Sequence, residues 1–284
     1  MAKNTNQEEV IAILSKIFKN TYVALIFLFL YAPIAVLIVF SFNSSKLRGS
    51  WGGFTLDWYV SLFHNEAIIS AIYTTLTIAL ISAVVATIVG TVAALGISAM
   101  RTRTRNVVMN VTYLPVLNPD IVTGVSLLIL FNFIGGLTGM QQGYGTLLLA
   151  HITFCIPYVI LSVLPKLRQV SRSIFEAACD LGCTPARAIV KVVLPDIMPA
   201  IITGFLLSLT MSIDDFVISF FTRGATIQTL STTIYAMTRR GVKPDINALS
   251  TLMFLTVLIL LIIINIRSSR GQAKPKRAES PIRR

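Results

Sequence analysis

Charge is what this sequence has least of. Of its 284 residues only 13% are Asp, Glu, Lys or Arg, while 55% are apolar. Soluble domains carry about a quarter charged residues, so this chain lacks the means to cover a soluble surface. A soluble globular enzyme is excluded, and the mean hydropathy of +0.78 excludes a disordered chain. Acidic residues are scarcer still, 12 against 24 basic ones. Basic excess on so apolar a chain faces anionic lipid or fixes topology, and does not point to nucleic acid. Cysteine is limited to Cys155, Cys179 and Cys183, an odd number without zinc or redox spacing, which argues against a disulfide framework and a metal site. They read as small buried hydrophobes. No G-x-x-x-x-G-K-[ST] run occurs, so the chain has no phosphate-cradling loop and is not read as an enzyme. If ATP drives it, a partner hydrolyses the nucleotide.

Long uncharged runs are what the sequence has instead. A spanning helix needs about 20 apolar residues. Tyr22–Phe42 fills one span and is too long for a cleavable signal peptide. A second is expected over Ser70–Met100. From Asn106 to Pro165 the single charge is Asp120; Gly135-Gly136, Gly139 and Gly143 break this stretch into helices near Val107–Ile134 and Tyr144–Leu164. A fifth runs Leu194–Phe221 and a sixth Ile246–Ile266. The expected fold is an all-α polytopic membrane protein with six spans. Its parts are a segment 1–20, a transmembrane domain 21–266 and a basic, disordered tail 267–284.

Six spans place both termini on one side. That side carries 18 Lys and Arg and the other six: Lys46, Arg48, Arg223, Arg239, Arg240 and Lys243. The asymmetry puts both termini in the cytoplasm. Between the first two spans, Thr55-Leu56-Asp57-Trp58-Tyr59 predicts a short interfacial helix with Thr55 as N-cap; Trp58 with Leu62 and Tyr59 with Phe63 lie on its apolar face.

The loop between the fourth and fifth spans is dense in local signals. Ser173 and Glu176 form a capping box, Gly182 a left-handed stop, and Thr184-Pro185 a second helix start. Glu176 on this reading is a cap. Intramembrane carboxylates are costly and mark functional sites: Asp120, loosened by Pro119, and the adjacent Asp214 and Asp215. Each has a plainer reading. Asp120 serves as a buried cap, and Asp214 and Asp215 sit in interfacial water, paired with Arg223. Asp196 suits a first-turn carboxylate. His151 reads as a hydrogen-bonded packing residue rather than a ligand, and His64 as interfacial.

The spacing Glu176-Ala177-Ala178, Gly182, Val192, Leu194-Pro195 resembles the EAA loop of ABC importer permeases, with Val192 where the family has Ile. The runs Asn43-Ser44-Ser45, Pro119-Asp120-Ile121-Val122, His151-Ile152-Thr153-Phe154-Cys155, Ser212-Ile213-Asp214-Asp215-Phe216 and Ile246-Asn247-Ala248 resemble the C-type permeases of bacterial spermidine/putrescine importers. This resemblance implies a type I importer fold in the bacterial inner membrane. Its coupling loop, 171–195, would dock on an ATPase through Glu176, Ala177, Ala178, Gly182, Leu194 and Pro195. It also implies a homologous second permease, two ATPase subunits that bind ATP and Mg2+, an extracytoplasmic polyamine-binding protein, and no cofactor on this chain. The substrate path would use Asp120, Asp214, Asp215, Phe216 and Tyr235, with Phe131 and Phe220 as further aromatic wall. Permeases for iron, thiamine or sulfate share the loop and remain the alternative. An ATP-independent cation carrier or a membrane scaffold leaves the loop or the acids without a role.

Overall fold

The computed structural model describes residues 2–45, 50–239, 241 and 244–271. Lys46, Arg48, Arg240 and Lys243 of the charge count, and residues 272–284 of the predicted tail, lie outside the described residues. Among those described there are helices and a single isolated bridge, Asn43 to Phe54. Six stretches are long and apolar enough to cross a membrane.

The helices are α1 (Ala2–Phe40), α2 (Asp57–Phe63), α3 (Glu66–Ala99), α4 (Thr102–Leu117), α5 (Asp120–Thr138) and α6 (Tyr144–Gln169). There follow α7 (Arg172–Asp180), α8 (Pro185–Ala188), α9 (Leu194–Asp214), α10 (Val217–Thr222), α11 (Leu230–Arg239) and α12 (Pro244–Gly271). A π-helical turn, Ile189–Val193, joins α8 to α9. The six expected spans correspond to α1, α3, α5, α6, α9 and α12; α3 begins earlier, at Glu66, α6 and α12 run on to Gln169 and Gly271, and there are three larger differences. The apolar part of α1 is Phe18–Phe40, but the helix extends back to Ala2. The span expected over Val107–Ile134 is two helices, because Asn118 and Pro119 both take extended backbone angles and stop α4 before α5 begins. The fifth span ends at Asp214, not Phe221.

The chain divides into two units, residues 1–64 with 237–253 and residues 65–236 with 254–284. In the first, Asn43 organises the segment after α1. Its side chain donates to Ser50 O at 2.7 Å and accepts from Gly52 N at 2.8 Å and Ser45 N at 3.2 Å. Trp58 of α2 donates its indole N–H to Asn43 O at 2.8 Å, and Tyr59 shares a hydrogen bond with Ser41 at 2.7 Å. Leu62 is buried while Phe63 is 62% exposed, so the apolar face of α2 is split. Thr55 is not its N-cap. That position is Leu56, and Thr55 Oγ1 instead accepts from Asp57 N in a turn.

In the second unit, α3, α6 and α9 pack on one another. Membrane helices gain little from apolar burial against one another, so close backbone approach through small residues carries the packing. On α3, Ala79, Ala83, Ala86, Gly90 and Ala94 recur at spacings of three and four and are buried. Fully buried Val159 of α6 lies between Gly90 and Gly204 of α9: a Cβ at Gly90 would meet Val159 Cβ at 2.7 Å, and one at Gly204 would meet its Cα at 3.3 Å. On the other side α5 packs on α10, where Gly124 admits the ring of Phe221.

Candidate functional site

The fifth span breaks at the paired aspartates, and the break treats the two differently. Asp214 is the last residue of α9, and its side chain is exposed. Asp215 has extended backbone and turns inward, leaving its side chain 6% exposed. Its carboxylate accepts the amides of Ile218 at 3.2 Å and Ser219 at 2.7 Å. Those are first-turn donors of α10, which have no partner within their helix. The positive end of the α10 dipole adds to the attraction. Ser231 at the start of α11 donates to the Asp215 carbonyl at 2.6 Å. Asp215 is therefore used as a structural cap.

Asp214 stands at the opposite end of a helix dipole. The carbonyl end of α9 is partially negative, and a carboxylate there is disfavoured unless a cation joins it. Among the described residues its side chain has no hydrogen bond or ion pair. Arg223, the expected partner, donates instead to Ile227 O at 2.6 Å. Unlike Asp215, Asp214 has its charge available to a ligand.

Aromatic rings follow at once. Phe216 lies 4.7 Å from Tyr235 and 5.5 Å from Phe220 between ring centroids, and Phe220 lies 6.0 Å from Tyr235. Phe220 and Tyr235 are 43% and 40% exposed. Three of the four aromatic residues singled out in the sequence thus form one cluster, two positions from Asp214. Phe131 does not join it: the side chain is 6% exposed within the packed core of α3, α4, α6 and α9. Exposed π-faces suit an organic cation, as does the carboxylate two positions before Phe216.

Asp120 is exposed and opens α5, where the helix dipole favours a carboxylate. It is not the buried cap of the plainer reading. Asp196 occupies the first turn of α9 as expected.

Behind Asp215 lies a polar cluster that the sequence did not reveal as a unit. His151 of α6 is 1% exposed. Its Nδ1 lies 2.7 Å from Ser212 Oγ and its Nε2 3.0 Å from Ser219 Oγ. Ser212 reaches Ser82 of α3 at 3.2 Å. His151 Nε2 is 3.7 Å from Asp215 Oδ2, close for an electrostatic contact but beyond a hydrogen bond. The expectation of a hydrogen-bonded histidine fits, and its partners come from two other helices, α9 and α10.

The loop helix α7 has the geometry its local signals predict at one end and not at the other. Gly182 takes φ +89°, its N–H bonds Cys179 O at 2.9 Å, and the Cys183 N–H bonds Ala178 O at 3.1 Å. This pair is a Schellman stop. Thr184 occupies the N-cap position of α8 and Pro185 the first turn. The capping box is absent. The N-cap is Ser171, and the Ser173 hydroxyl pairs with that of Ser171 at 2.6 Å, so Glu176 is an exposed residue inside α7. Ile174, Ala177 and Leu181 lie at i, i+3 and i+7 on one exposed face; Leu181 is 87% exposed. Ala178 is half-buried, as is Leu194 beyond the π-helical turn, whereas Pro195 is exposed.

An apolar groove of about 360 Å3 lies between α3, α9 and α12, walled by Leu76, Leu80, Leu209 and Ile213. It offers no charge to a cation. Among the described residues no group of three His, Cys, Asp or Glu side chains is placed to hold a metal ion.

Residues 86–270 match the family described as the binding-protein-dependent transport system inner membrane component. The spermidine/putrescine transport system permease protein PotC of Haemophilus influenzae is 38% identical over 245 residues, spanning 86% of this chain and 94% of its own. The putrescine transport system permease protein PotI of Escherichia coli K12 is 44% identical over 230 residues, or 80% of this chain and 82% of its own. Among solved structures, a chain of a bacterial alginate ABC transporter in complex with its pentasaccharide-bound periplasmic protein matches with a TM-score of 0.68 at 20% identity. That match covers 91% of this chain and 95% of the other. A chain of the inward-facing MetNI methionine ABC transporter matches with a TM-score of 0.59 at 16% identity, over 73% and 99%. These two likenesses concern the fold.

Proposed function

Because this chain belongs to the family of binding-protein-dependent transport system inner membrane components, we propose that it is a permease subunit of an ATP-driven importer that carries polyamines. It is a multi-pass inner-membrane protein with the type I ABC importer permease fold. The observation that carries the substrate reading is Asp214, a carboxylate at the negative end of α9 with no hydrogen bond or ion pair among the described residues, two positions before Phe216, whose ring clusters with those of Phe220 and Tyr235. A flexible polycation exchanges its water for that carboxylate and those faces as it passes. Asp120, exposed at the head of α5, supplies a second carboxylate on the path. The relatives named for spermidine and putrescine support the same substrate class.

We read its role as that of a permease subunit like the relatives, with the ATP hydrolysed by a partner, since the chain has no nucleotide-binding loop of its own. Two ATPase subunits, with ATP and Mg2+, would close on each other and act on α7. There Ile174, Ala177 and Leu181 offer an exposed apolar face flanked by Glu176 and Gly182, with Leu194 and Pro195 carrying the motion into α9. A homologous second permease completes the pathway, and an extracytoplasmic binding protein delivers the substrate. The basic-residue asymmetry supports both termini on the cytoplasmic side. Alternating access then follows from a two-state bundle biased by ATP.

The test is ATP-dependent uptake of labelled spermidine and putrescine into vesicles holding the co-expressed permease, ATPase and binding protein. Uptake that disappears when this chain is omitted supports the importer and its substrate together. Binding-protein-stimulated ATP hydrolysis without polyamine uptake refutes the substrate class. Transport without the ATPase refutes the importer.

A further inference from the structure

We propose that His151 is the positioning residue of the aspartate pair: it holds the break in the fifth span so that Asp215 caps α10 and Asp214 alone faces the ligand. The substrate part of this inference rests on the polyamine reading; the geometric part does not. The two aspartates are adjacent, and a continuing helix would turn about 100° between them. A rotation of that size exchanges which one points outward. Nothing in their own chemistry distinguishes them, so the choice comes from what surrounds them.

His151 is placed to make that choice. It reaches Ser212, two residues before the pair, through Nδ1, and Ser219, four residues after it, through Nε2. One imidazole thus bridges the end of α9 and the first turn of α10. A neutral imidazole presents one donor and one acceptor, and each serine hydroxyl takes either role. Both contacts are met without a charge in the membrane. Ser219 also gives its amide to Asp215, so the histidine grips the residue that the carboxylate caps. Ser82 of α3 holds Ser212 from the far side. Removing the imidazole leaves the buried Ser219 hydroxyl without its partner, takes one of two from Ser212 and opens a void of ring size, and these effects loosen the break.

The test reads the orientation of position 214 directly. In the complete transporter in vesicles, with Cys179→Ser and Cys183→Ser removing the half-buried thiols, Asp214→Cys is labelled with a small trimethylammonium thiosulfonate. Cys155 is buried and stays. His151→Ala is expected to change the labelling rate at least about fivefold, the factor that one lost buried hydrogen bond produces. His151→Gln, whose amide reaches the Nε2 position, is expected to recover most of it. Should His151→Ala fail to assemble, Ser219→Ala removes one hydroxyl and is expected to shift the rate in the same direction. An unchanged rate in the assembled variant, or a shift in His151→Ala that His151→Gln does not reverse, overturns the proposal. Labelling that responds as expected in a transporter without polyamine uptake supports the positioning role and refutes only the substrate reading.

Discussion

Replacing Gly90 by alanine puts a methyl carbon 2.7 Å from Val159 Cβ and 2.8 Å from its Cγ1. Carbon atoms rest about 3.5–4.0 Å apart, so about 1 Å must be found at the α3–α6 contact. Val159 has no easy retreat. It is fully buried, and Gly204 of α9 backs onto it, with a Cβ position 3.3 Å from Val159 Cα. Overpacking of this kind costs about 1–3 kcal/mol. Alanine in place of glycine also favours a helix by about 0.5–1 kcal/mol, which masks part of the cost. Gly96, on the same helix, has nothing within 4 Å of its Cβ position and supplies the control. Gly96→Ala takes the helical gain alone, so the difference between the two variants is the overpacking term itself. The assay is the thermal midpoint of the detergent-solubilised complete transporter, followed by size exclusion. Gly90→Ala is expected to melt below Gly96→Ala by about 2–4 °C for each kcal/mol. Equal midpoints would refute the claim that α3 and α6 are held together by backbone approach at this point.

Five other outcomes follow from the same geometry. Asp214→Asn should cut polyamine uptake by about tenfold or more while leaving assembly intact, as loss of a desolvated charge contact predicts; Asp215→Asn should instead lower the melting midpoint, since it disturbs a cap with a cost of about 1–2 kcal/mol. Leu substitution at Phe216 and Tyr235 together should slow uptake of the polycation and leave stimulated ATP hydrolysis in place, measured side by side in vesicles. Gly182→Val forces a β-branched residue to φ +89°, and should weaken ATPase co-purification, with a strain of about 1–2 kcal/mol at the loop. Asn43→Ala removes three hydrogen bonds after α1 and should expose the segment around Ser50 and Gly52 to protease in vesicles, read as a new fragment on a gel.

What was legible in the sequence was decided locally. Span number follows from uncharged length, which lipid enforces without regard to neighbours. The stop at Gly182 and the start at Thr184-Pro185 depend on residues within five positions, and the structure has both. The Ser173–Glu176 box failed for an equally local reason: Ser171 begins α7 earlier and takes the Ser173 hydroxyl for itself. The aspartate pair was different. Its signal, an acid a few residues ahead of an apolar turn, was present at Asp215, but an uncharged run on both sides favours a continuous helix by length alone. What interrupts it is His151, 61 residues upstream of Ser212, and Ser231, 16 residues downstream of Asp215. The same holds for the aromatic cluster. Periodicity selects Phe216 and Phe220 as one face of a helix, yet Tyr235 joins them from α11, and Phe131 is drawn off into the core. Pro119 was read as a soft point and is a full stop, because Asn118 before it also leaves the helical region.

Between α8 and α9 the π-helical turn keeps the chain helical from Pro185 to Asp214, 30 residues without a loop. At about 1.5 Å per residue that is a rod of about 45 Å. Its near end is the short helix beside the exposed face of α7, and its far end is the unpaired carboxylate. The prolines within it past the π turn, Pro195 and Pro199, sit in the first two turns of α9, and the stretch from there to Asp214 carries no further proline to bend it. The wider π turn also rotates the helix beyond it relative to an α-helical continuation, so the register of α9 is set at Ile189–Val193, while its break at the far end is held by His151. Deleting one residue there would keep every α9 side chain in the sequence and turn them all by about 100°, as mistiming a camshaft leaves each valve sound and the engine dead.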